Sequence, residues 1–209
     1  ITRPARDLLN IRVQSSLFSS RGCPYRCLSG DTIIHTMDGD FPIRELVGKR
    51  DVKVLTRDPL NQQPIYALAK NISKTQENAE LVRVQFDDGS HIDCTPDHKF
   101  KVFKSRNQYI NESEWDVEAR DLKPKQQIRA VRFEVQKTGR KVVSTRRDVN
   151  RYHAYIVLES LIGRALSTSE IAHHRDKNPG NDHPSNLILT DKSNHSSHHP
   201  ELAEKMRRD

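Results

Sequence analysis

The stretch ELVRVQFDDGSHIDCTPDHKFKVF, residues 80–103, decides the fold class. Asp88-Gly89 supplies the positive backbone angles that a tight turn needs, so ELVRVQF (80–86) and HIDCT (91–95) read as a hairpin. KFKVF (99–103) reads as the next strand. Upstream, DTIIHT (31–36), Asp38-Gly39 and FPI (41–43) repeat the strand–turn–strand pattern, and VKVLTR (52–57) adds another strand. Downstream, QQIRAVRFEV (126–135) continues it. Many short strands joined by turns indicate a mainly β module from Cys27 to about residue 135.

Composition sets the outer bounds. A chain of 209 residues makes one or two domains. With 34% hydrophobic and 30% charged residues and a mean hydropathy of −0.80, two small domains joined by a solvated link fit better than one large core. No apolar run approaches the roughly 18 residues of a membrane span, and ITRPARDLLN at the start carries no apolar signal core. The chain opens on Ile1, which fits a piece of a longer product. Three cysteines make no disulfide framework, which points to a reducing, cytoplasmic setting. A net charge of +7 and a pI near 9.4 favour a polyanionic partner such as nucleic acid.

Beyond the β module, QKTGRKVVSTRRDVNR (136–151) reads as an exposed basic linker. From Tyr152 the apolar residues Ala154, Val157, Leu158, Leu161 and Ile162 recur at helical steps, and Gly163 is a stop. A strand around Glu170–His173, a Gly/Asn/Pro-rich loop (177–186) and the strand LILT (187–190) follow. A final helix over about 191–206 takes Asp191 as its N-cap.

Six of the ten histidines fall between residues 173 and 199. Adjacent His173 and His174 on a strand point to opposite faces, so one is free to hold a metal while the other meets a substrate. His195 and His199, four apart on the predicted helix, share one face, as a metal requires. Neutral imidazole is a common ligand of zinc and other transition metals.

The segment 152–205 resembles the HNH, or ββα-metal, nucleases. The resemblance rests on His-His-x-Asp at 173–176, Pro-x-Asn-Leu at 184–187, His195 and His199, and on Gly163-Arg164-x-Leu166 and Glu170 upstream. It implies an α+β nuclease domain in which His174 is the general base. His173 and His195, with His199 as a further ligand, would hold one divalent cation (Mg, Mn, Zn or Ni). Asn186 would fix the loop between the two strands, and the partner would be double-stranded DNA. Glu170 and Asp176 read as bracing or orienting residues, and His183 and His198 as surface residues.

The first module resembles the N-terminal blocks of inteins, which share the Hint fold with hedgehog autoprocessing domains. The matching residues are Cys27, Gly30-Asp31-Thr32, Asp38-Gly39 and Pro42-Ile43-x-Glu45-Leu46, then Thr95-x-x-His98, then ARDLKPKQQI (119–128) with Gln126 in place of the usual Gly. The resemblance implies that Cys27 attacks the carbonyl of Arg26. Thr95 and His98 would grip that bond, and His98 would protonate the leaving amine. The C-terminal His-Asn block of inteins is missing from LAEKMRRD, so a further intein segment and extein are implied as partners. Before Cys27, SSRGCPYRC resembles the Cys-x-x-x-Cys-x-x-Cys motif of radical S-adenosylmethionine proteins. Cys23 stands first in it, and Gly30 occupies the third cysteine position.

The expected organisation is a host segment over 1–26, a Hint-like splicing domain over 27–135, a basic linker over 136–151 and an HNH endonuclease over 152–209. Two other readings are a toxin in which a Hint domain releases an HNH nuclease, and a non-catalytic metal-binding DNA module.

Overall fold

The computed structural model describes residues 27–104, 113–146 and 149–194. The segment 1–26 with Cys23, His195, His198 and His199, and all but the first four residues of the helix expected over 191–206 lie outside the described residues. Among the described residues there are fourteen strands and two α-helices, so the protein is mostly β. No described helix is long and apolar enough to cross a membrane. The described residues divide into two compact units. One comprises 27–133 with 144–149, and the other 134–143 with 150–194.

In the first unit, β1 (Ile33–Thr36) and β2 (Gly39–Pro42) form the hairpin that Asp38-Gly39 predicts, in the register Thr36↔Gly39 to Ile33↔Pro42. The Thr36 hydroxyl donates to the Gly39 carbonyl at 2.7 Å and closes the turn. A single helical turn α1 (Ile43–Leu46) leads to β3 (Lys53–Arg57) and β4 (Pro64–Leu68), giving a sheet ordered β2–β1–β3–β4. β5 (Val82–Gln85) and β6 (His91–Cys94) pair across a turn in which Gly89 takes φ +85°, a conformation that costs glycine nothing. β7 (Lys99–Lys104), β8 (Ser113–Glu118) and β9 (Gln127–Ile128) form a sheet ordered β8–β7–β9.

Alternation builds the core here. Val84 of β5, Ile92 and Cys94 of β6, and Phe100 and Val102 of β7 are buried with Phe86 in one cluster. Their strand neighbours Gln85, Asp93, Lys99 and Lys101 keep partial exposure, as a period of two requires. On β8 the charges are paired. Arg57 donates both of its terminal nitrogens to Glu114 at 2.8 Å, Arg129 adds a third bond at 2.8 Å, and Lys101 meets Asp116 at 2.9 Å.

Residues 136–151 differ from the exposed linker expected of them. β10 (Arg132–Val135), β11 (Lys141–Arg146) and β12 (Val149–Tyr152) make a three-stranded sheet in that order. Val142, Val143 and Thr145 are buried. The β-branched residues Val142, Val143 and Thr145 favour a strand, and the flanking charges obscure that signal.

The second unit continues with α2 (His153–Ile162) and the hairpin β13 (Glu170–His174) and β14 (Leu187–Asp191). Gly163 stops α2 at φ +74°, its N–H donating to the Glu159 carbonyl. The buried face of α2 is Ala154, Ile156, Val157 and Leu158, whereas Leu161 and Ile162 are 45% and 36% exposed. Its burial has therefore faded before the last turn.

Candidate active sites

The first candidate site lies where residues 27–29 run beside β6. Leu28 bridges to Cys94, and the Ser29 N–H donates to the Asp93 carbonyl at 2.8 Å. Cys27 is clasped by one residue through two bonds. The Thr95 N–H donates to the Cys27 carbonyl at 2.9 Å, and the Cys27 N–H donates to the Thr95 hydroxyl at 3.0 Å. Cys27 N is the nitrogen of the Arg26–Cys27 peptide bond, so Thr95 touches the bond that the expected acyl shift would break. Thr95 itself is buried.

The turn Thr95-Pro96-Asp97-His98 closes with the His98 N–H donating to the Thr95 carbonyl at 3.0 Å. It seats His98 in the interior at 3% exposure, its ring edge-on to Phe100 at 5.2 Å between centroids. The structure thus brings Cys27 and Thr95 together and places His98 on the adjoining turn. It adds a residue that sequence reading missed: the Thr75 hydroxyl lies 2.7 Å from Cys27 Sγ. Thr75 sits in an irregular stretch between β4 and β5, where no periodicity marks it. The neighbouring thiol of Cys94 is fully buried, and burial, helped by the carboxylates of Asp93 and Asp97, pushes its pKa up to about 12.

The second candidate site lies on the β13–β14 hairpin. His173 pairs with Ile188 and is buried at 5% exposure, and His174, opposite Leu187, is half-buried on the other side of the strand. His174 Nε2 lies 2.8 Å from Asp182 Oδ1, and the other oxygen of the same carboxylate lies 2.9 Å from His153 Nδ1 at the start of α2. Burial works to raise the Asp182 pKa, but the hydrogen bonds from His153 and His174 outweigh it and hold the carboxyl down to about 2.

Asn186 holds the loop between the strands. Its amide donates to Asp176 at 2.9 Å and to the Asn181 carbonyl at 2.7 Å, and its oxygen accepts the Asp176 N–H at 3.1 Å. Asp176 also accepts the Asn181 amide at 2.6 Å and the Asn178 N–H at 2.9 Å. Glu170 takes a two-bond grip from Arg164 at 2.7 Å and accepts the Ser167 N–H at 2.8 Å. The Arg164 pair, with the Ser167 N–H behind it, lowers the Glu170 pKa to about 2. His183 is exposed, its ring nitrogen accepting the Ser185 N–H at 3.3 Å.

Sequence reading passed over His153 and Asp182. The available signal for Asp182 was a carboxylate eight residues from His174, inside the loop that ends at Asn186.

Among the described residues no group of three His, Cys, Asp or Glu side chains is placed to hold a metal ion. His173 is the one expected ligand described, since His195 and His199 lie outside. The expected donor set of three imidazoles suits a divalent transition metal. Asp182, the one buried carboxylate among the described residues, is taken up by its two histidines.

The chain matches no family model, and no solved structure matches it. It is 32% identical over 110 residues to the ribonucleoside-diphosphate reductase large subunit of Invertebrate iridescent virus 6, covering 49% of this chain and 11% of that one. It is 26% identical over 211 residues to a DNA gyrase subunit of Synechocystis, covering 87% of this chain and 18% of that one. The chain therefore spans a small part of both relatives.

Proposed function

We propose that the first unit carries the N-terminal chemistry of an intein and the second an HNH endonuclease. The observation that carries the reading is the double clasp of Thr95 on Cys27, at the nitrogen of the Arg26–Cys27 bond. In the step proposed, Cys27 Sγ bonds to the carbonyl carbon of Arg26 and the carbon–nitrogen bond breaks. The thiol proton ends on the released Cys27 amine, and the peptide becomes a thioester. Thr95 fixes the amide nitrogen in place, and His98 delivers the proton to it. The test is release of residues 1–26 by an added thiol, dependent on Cys27.

In the nuclease, His174 takes a proton from the attacking water, and Asn186 holds the loop that presents it. His173, with His195 and His199, would hold one divalent cation, whose chemistry is to neutralise charge developing on the scissile phosphate. Double-stranded DNA is the substrate proposed, drawn by the net positive charge. Nicking of plasmid DNA that a divalent cation supports and EDTA stops is the measurement that tests this half.

A further inference from the structure

The geometry points to Asp182 as the positioning residue of the nuclease site. We infer that its carboxylate, steadied on its far side by His153, holds His174 in the tautomer that carries its proton on Nε2. Nδ1 is then the nitrogen that takes the proton from water. The inference rests on the nuclease reading and deepens it.

Three observations lead there. The first is the chemistry of the pair. An ionised carboxylate only accepts hydrogen bonds, so a nitrogen bonded to each of its oxygens must be a donor. His174 Nε2 at 2.8 Å and His153 Nδ1 at 2.9 Å are therefore both N–H groups. A neutral imidazole has one N–H, so in that form His174 has its lone pair on Nδ1.

The second is burial. The Asp182 side chain is 2% exposed, while those of His174 and His153 are 14% and 12% exposed. Water does not compete for the carboxylate, and a buried charge needs partners to persist. The two histidines are those partners, and the low carboxyl pKa of about 2 agrees.

The third is mounting. His153 begins α2, His174 ends β13, and Asp182 lies in the loop ahead of Asn186. The loop is held independently by the Asn186–Asp176–Asn181 bonds. One carboxylate thus ties the helix, the strand and the loop to a single imidazole orientation. A carboxylate that orients a catalytic histidine in this way acts through the tautomer and not through substrate contact.

The experiment uses the full chain. Long-range ¹H–¹⁵N spectra of histidine-labelled protein, stripped of metal with EDTA and at a pH where imidazole is neutral, report the tautomer without any variant. The expected His174 signature is a protonated Nε2 and an unprotonated Nδ1; the opposite assignment overturns the inference. In parallel, Asp182→Asn should lower kcat for nicking by about 10²–10⁴-fold, the usual share of a general base, with KM for DNA nearly unchanged. It should also shift the His174 tautomer population, because an amide can donate where the carboxylate accepts. Asp182→Glu should restore part of the rate. A nicking wild type whose Asp182→Asn variant nicks equally fast sinks the positioning role alone. A wild type that nicks with no divalent cation tried sinks the nuclease reading and this role with it.

Discussion

The Thr95 hydroxyl accepts the Cys27 N–H at 3.0 Å, and the Thr95 N–H returns a bond to the Cys27 carbonyl at 2.9 Å. A residue 68 positions away thereby grips the peptide nitrogen that the proposed acyl shift must release. Thr95→Ala removes one of the two bonds and should destabilise the first unit by about 0.5–1.5 kcal/mol. It should also slow thiol-induced cleavage, because the nitrogen loses its clamp. Thr95→Ser keeps the oxygen and should retain most of both. Thermal melts and cleavage time courses on the two variants check this; equal cleavage rates would separate Thr95 from the chemistry.

Cys94 provides a contrast within the same site. Its thiol is fully buried with a pKa pushed up to about 12, so little thiolate forms near neutral pH. Alkylation of the folded protein with iodoacetamide should spare Cys94 and modify Cys27, with denaturant exposing Cys94. Peptide mapping reads the outcome, and Cys94 labelling in native buffer would contradict the packing.

Asp182 sets an acid limit on the second unit. Its folded pKa, held at about 2 by His153 and His174 against the cost of burial, lies below the ordinary aspartate value of about 3.9. A depressed carboxylate contributes stability that is complete above its unfolded pKa and is lost as pH falls through its folded one. Urea midpoints should therefore fall between about pH 4 and pH 2 in the wild type, and more shallowly in Asp182→Asn.

The strand β11 tests the segment that charge made look like a tether. Val143 is completely buried, so Val143→Ala should cost about 1–3 kcal/mol, whereas an exposed site in a solvated tether would cost close to nothing. Urea denaturation distinguishes the two.

These positions also show what a sequence can reveal unaided. Strands next to Asp38-Gly39 and Asp88-Gly89 were readable because the turn chemistry and the apolar alternation agree. β8 was not, because Glu114 and Asp116 look solvated until Arg57, Arg129 and Lys101 are brought beside them. β11 was hidden in the same way by its basic neighbours. At the proposed nuclease site the His173–His174 pair and Asn186 carry a local pattern. The bond from His153 to Asp182 spans 29 residues and joins a helix start to a loop, so it follows from tertiary packing and from no spacing rule.

The most direct measurement is mass spectrometry of the chain after incubation with an excess of small thiol. A free thiolate exchanges with the proposed thioester and captures the upstream acyl group. Slow release of residues 1–26 by scission between Arg26 and Cys27 is the expected result, with no release from Cys27→Ala and release about 10²–10⁴-fold slower from His98→Ala. An intact wild-type chain, or scission at the same bond in Cys27→Ala, would contradict it.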